Sequence, residues 1–92
     1  MHITEEQRQL LRDSIVKWGE EKQIRMAVEE CSEFINAIMK MYRNRTTTAD
    51  VVDEIADVIL MMEEMAIHFG EDAVKERINF KMDRVKTRIL HA

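Results

Sequence analysis

EEKQIRMAVEECSEFINAIMKMYR, residues 20–43, decides the fold. Its apolar residues Ile24, Ala27, Val28, Cys31, Phe34, Ile35, Ile38 and Tyr42 recur at steps of three and four, the period of an amphipathic helix. Upstream, Thr4 followed by Gln7 is a capping-box pattern for a helix from about Ile3 to Trp18, and Gly19 supplies the stop. Downstream, Asn44-Arg45-Thr46-Thr47-Thr48 is the one loop-like segment. Thr48 or Asp50 is then expected to cap a third helix ending at Gly70, and a fourth is expected from Glu71 to about Leu90. The chain has no proline and two glycines, so the composition agrees with an all-α fold. Residues 1–92 form a single domain, with no repeat, low-complexity tract or linker.

The third helix is unusual. Val51, Ile55, Val58, Met62 and Phe69 make one apolar stripe, and Ala56, Leu60 and Ile67 a second, roughly 140–180° away. A helix apolar on two sides is buried on two sides. In a chain too short to build a large core alone, this predicts a helical bundle completed by oligomerisation.

Composition narrows the function. A net charge of −4 argues against nucleic acid as a partner. Cys31 is the only cysteine and cannot form an internal disulfide, which points to a reducing compartment. Glu5, Glu6, Arg8, Arg12 and Asp13 leave no room for a signal peptide, and Asp57 breaks the longest uncharged run, so no membrane association is expected. The expected location is cytoplasmic.

Four carboxylates sit on unexpected faces. With Ile24 as the zero of angle, the ordinary polar residues Arg25, Glu29, Asn36 and Lys40 lie at about 100–160°, Glu33 at about 180°, and Glu30 at about 240°, among Met26, Ala37 and Met41. On the third helix Glu54 falls between Met61 and Met65, with Asp57 about 60° away. Either pair alone is common on a solvated helix face. Both pairs displaced toward apolar flanks on consecutive helices are costly unless a cation or proton compensates. An antiparallel hairpin brings the pairs to one point, and four carboxylates there suit a hard divalent cation. A di-iron bundle would need Glu-x-x-His on two helices, and His68 has no such partner.

On the fourth helix Val74, Ile78, Met82, Val85 and Ile89 form an apolar stripe, flanked by Arg77, Lys81, Arg84 and Arg88. Such a ridge is either a row of stems packed along a core face or a phosphate-binding surface. Beside an acidic metal cluster, the phosphate reading gains weight.

Glu29-Glu30-Cys31-Ser32-Glu33 followed after twenty residues by Glu54-Ile55-Ala56-Asp57 resembles the E-E-x-x-E … E-x-x-D signature of the MazG-like, all-α nucleoside triphosphate pyrophosphohydrolases. Trp18-Gly19 and Gln23 before the motif, and Lys81-x-x-Arg84-x-x-x-Arg88 after it, extend the likeness over about residues 15–90. Asp53 stands where many members have Glu. The resemblance implies a four-helix MazG-like bundle assembled as a dimer or tetramer. It also implies Mg²⁺, with Mn²⁺ as a substitute, held by Glu30, Glu33, Glu54 and Asp57, and hydrolysis of a nucleoside triphosphate to monophosphate and pyrophosphate. Glu30 or Glu33 is the candidate general base. Lys81, Arg84 and Arg88 are phosphate candidates, Trp18 a base-stacking candidate and Gln23 a polar contact. A lone Trp at a helix end is more often a core plug than a stacking platform, and Cys31 reads as a small hydrophobe on the core stripe. The rival readings are a non-catalytic helical module that binds nucleotide without turnover, or one that recognises a protein partner.

Overall fold

Thr4 and Gln7 form the reciprocal cap read from the sequence: the Gln7 N–H donates to Thr4 Oγ1 at 3.0 Å, and the Thr4 N–H to Gln7 Oε1 at 2.8 Å. The computed structural model describes residues 3–92, and in it this cap opens α1 (Glu5–Trp18). α2 (Glu20–Tyr42), α3 (Thr48–Phe69) and α4 (Glu71–Leu90) follow, with no strand among the described residues. Gly19 and Gly70 are each a complete joint. The Gly19 N–H closes α1 on the Ile15 carbonyl and its own carbonyl accepts from Gln23, while Gly70 does the same between Ala66 and Val74. Their φ values of 89° and 130° are backbone that side chains rarely adopt. One boundary differs from the sequence reading. Thr47, not Thr48 or Asp50, caps α3, with Asp50 as its reciprocal partner, because Asp50 lies three residues on and can reach back.

α2 and α3 pair as an antiparallel hairpin: Glu20 meets His68, Gln23 meets Glu64, and Glu33 meets Glu54. Each step down α2 is matched by a step up α3. α1 packs against both helices, whereas the α4 backbone approaches α3 alone. An ion pair from Arg8 to Glu71 ties the start of α4 to α1. The expected four-helix bundle is therefore three helices with α4 set outside, every α4 residue after Glu71 being exposed.

The seam takes in only part of the apolar stripes read from the sequence. Val51 is buried, but Ile55, Met62 and Phe69 of the same predicted stripe are 40%, 44% and 66% exposed, as are Val28, Ile35 and Tyr42 on α2 to comparable or greater degrees. α3 is apolar around most of its girth, so its own periodicity does not select which face meets α2. Among the described residues the buried apolar side chains are Ala27, Ala37 and Val51, and no large side chain is fully enclosed. The radius of gyration, 15.7 Å, exceeds the roughly 12 Å of a compact domain of this length. The accessible surface, 7486 Å², exceeds the compact expectation by about 1,900 Å². No described helix is long and apolar enough to cross a membrane.

Candidate metal centre

Helical spacing turns two short motifs into one cluster. Glu30 and Glu33 project from one face of α2, one turn apart, and Glu54 and Asp57 do the same on α3. In the hairpin, carboxylate oxygens of Glu30, Glu33 and Glu54 lie within 4.8 Å of one another, and so do those of Asp53, Glu54 and Asp57. Oxygens around a single cation at about 2.0–2.6 Å have similar separations. Asp57 also faces Glu30 closely enough to raise its proton affinity. The four carboxylates singled out in the sequence thus converge, with Asp53 as a fifth at the edge.

The electrostatics are unfavourable without a counter-charge. Glu30 Oε2 and Glu54 Oε2 are shielded from solvent and have no hydrogen-bond partner, although the side chains as wholes are only half-buried. Desolvation pushes the Glu30 carboxyl above the usual carboxylate range, and Glu33, Asp57 and Glu54 push it further. Glu54 is raised in the same way, by desolvation first and then by Glu33, Asp57, Asp53 and Asp50. Among the described residues no basic side chain forms an ion pair with the cluster. Shielded, unpartnered carboxylate oxygens facing like charges have the donor chemistry of a hard-cation site.

A polar cleft of about 320 Å³ adjoins the cluster at the tip of the hairpin, lined by Glu33, Asn36, Ala37, Lys40, Thr46, Asp50, Asp53 and Glu54. The loop is held there by local bonds. The Thr46 hydroxyl donates to Asp50 Oδ2 at 3.0 Å, and that bond leads the set that holds the Asp50 carboxyl below its usual range. The Lys40 carbonyl accepts from the Arg43 and Arg45 N–H groups at 3.0 and 2.9 Å, and Asn44 turns the chain at a φ of 56°. Sequence reasoning assigned no role to Lys40, Asn36 or Asp53. The signal for Asp53 was its four-residue spacing from Asp57; for Lys40 it was its place on the turn sequence Glu33, Ala37, Lys40.

The expected substrate contacts lie elsewhere in the chain. Arg84 and Arg88 line a groove with Phe80, and Lys81 lines another with Phe69 and Ile78. Trp18, half-exposed, borders a depression with Lys22 and Arg25, and the Lys17 ammonium sits 5.3 Å from its ring centre. Gln23 is buried, its amide nitrogen 2.7 and 3.2 Å from the two Oε atoms of Glu64. None of the five lines the acidic cleft of its own chain. Cys31 is half-buried and free. Comparison with protein-family models, curated proteins and solved structures returns no match for this chain.

Proposed function

We propose that this chain is a MazG-like nucleoside triphosphate pyrophosphohydrolase, dependent on Mg²⁺ with Mn²⁺ as a substitute. The observation that carries the reading is the convergence of Glu30, Glu33, Glu54 and Asp57, with two shielded carboxylate oxygens left without partners. These four residues would hold the metal, with Asp53 at its edge. When bound, magnesium supplies charge neutralisation for the phosphates and a lowered pKa for attacking water. Glu30 and Glu33 are the candidate bases. Either carboxylate of the pair could accept a proton there. The acting base would take the proton of water attacking the α-phosphorus, and pyrophosphate would leave.

Self-association belongs to the same reading. An excess of about 1,900 Å² of surface per chain falls within what an obligate interface buries on each side. The exposed apolar residues Ile78, Met82, Val85 and Ile89 supply a face suited to that role. In an assembly, the α4 cations Lys81, Arg84 and Arg88 would serve a neighbouring copy's cleft. A dimer or tetramer, and no stable folded monomer, is the expected result of analytical ultracentrifugation.

The function is tested by pyrophosphate release from a panel of canonical and modified nucleoside triphosphates, with Mg²⁺ and with EDTA. Magnesium-dependent release, reduced about 100-fold or more in Glu54→Gln, is expected. The alternative, a non-catalytic nucleotide-binding or protein-interaction module, is favoured by one observation: the α4 cations do not line the cleft of their own chain. Binding of nucleotide without release from any member of the panel would establish that alternative.

A further inference from the structure

We propose that Lys40 binds the terminal phosphates of the substrate, so that the polyphosphate runs from the carboxylate cluster toward the α2–α3 loop. The inference rests on the triphosphate reading above and goes beyond it in assigning a phosphate contact and a direction.

Glu33, Ala37 and Lys40 follow one another along one face of α2, so Lys40 stands about 10 Å beyond Glu33 along the helix axis. The cleft between them also receives Asp53 and Glu54 from α3, and Lys40 is the sole cation among its lining residues. Polyphosphate extending past a metal at Glu33 and Glu54 would face the carboxylates of Asp50 and Asp53, and this ammonium is the one counter-charge that the cleft's own lining offers it. A cleft of about 320 Å³ lies at the low end of ligand pockets. It has room for a diphosphate portion beside the cluster.

The obvious competing role for Lys40 is an ion pair with Asp50. Asp50 lies close enough to feel its charge, yet the pair does not close to within salt-bridge distance. The Asp50 carboxylate is engaged by the Thr46 hydroxyl and the Thr47 N–H. The Lys40 backbone is fixed by the two N–H groups that its carbonyl accepts, so the flexible stem rises from a set position. Asn36 borders the same space and offers a neutral amide donor beside it.

The test compares wild type, Lys40→Met, which keeps the stem, and Lys40→Arg. Calorimetric binding of tripolyphosphate in Mg²⁺ is measured beside binding of Mg²⁺ alone, with KM and kcat wherever the wild type turns over. Loss of a charge-assisted contact weakens tripolyphosphate binding, or raises KM, by about 10- to 100-fold in Lys40→Met. Lys40→Arg should recover most of it, with Mg²⁺ binding alone unchanged in both. Equal tripolyphosphate affinity in wild type and Lys40→Met overturns the inference, even if pyrophosphate release is robust. Absence of tripolyphosphate binding by the wild type overturns it as well. Lys40-dependent binding in a protein that releases no pyrophosphate upholds the inference and removes only the hydrolase reading.

Discussion

At one end of the α2–α3 seam the Glu64 carboxyl is buried with a single amide, Gln23, as its partner; at the other, Glu30, Glu33, Glu54 and Asp57 face one another, and no basic side chain among the described residues pairs with them. Both ends raise the affinity of a carboxyl for protons, but for different reasons. Glu64 is raised by desolvation alone, while Glu30 and Glu54 add the repulsion of their neighbours to desolvation. A lone buried carboxyl next to an amide is satisfied by the fold itself, neutral or hydrogen-bonded. Crowded carboxylates repel one another as well, and a cation or a shared proton offsets that repulsion. Burial of an acid therefore says little about function; the number of like charges sharing the burial says much more.

The largest effect is expected at the crowded end. Glu30→Gln removes one of the repelling charges, so it should raise the melting temperature in EDTA by a few degrees. The same variant should lose most of the stabilisation that millimolar Mg²⁺ gives the wild type. Thermal melts with and without the cation read both effects. A variant destabilised in EDTA and still stabilised by Mg²⁺ would mean that the cluster is an ordinary helix surface.

A smaller effect is expected at the Glu64 end. Because folding raises the Glu64 pKa from its ordinary 4.5, the stability it contributes is complete below that value and is lost as pH rises through the folded pKa. Urea denaturation at pH 5 and 8, in Mg²⁺ so that the cluster is held constant, should show wild type losing stability relative to Glu64→Gln as pH rises. Gln23→Leu strips the carboxyl of its partner and should cost about 1–3 kcal/mol at pH 8. A Glu64→Gln variant with the wild-type pH profile would show that Glu64 exchanges no proton on folding.

The ends of the helices, apart from the Thr47 cap of α3, were readable because they depend on neighbours in sequence. Thr4 with Gln7, Gly19 and Gly70 act over three or four residues, and each acts where the sequence put it. The four carboxylates were readable for a related reason: two charges one turn apart, displaced toward apolar flanks, do not need the partner helix to look misplaced. What failed depended on the far side of an interface. α3 is apolar on too many faces for its own period to reveal which one α2 covers. The Gln23–Glu64 pair joins residues 41 apart in sequence, and neither side chain carries a mark of the other. Lys40 looked like a solvated end-of-helix lysine until the loop brought Asp53 and Glu54 beside it.

The two glycine joints set where this chain tolerates changes in length. Each connects two helices through a single residue in a conformation that an L side chain resists, although a Cβ at Gly19 would meet no atom within 4 Å. Backbone geometry, not space, is what resists replacement there. One residue inserted at Gly70 would change the direction in which α4 leaves α3 and move the Lys81–Arg88 ridge from the side it now presents. The loop at 43–47 spreads its turn over five residues, so a change of length is expected to be tolerated better there than at positions 19 and 70.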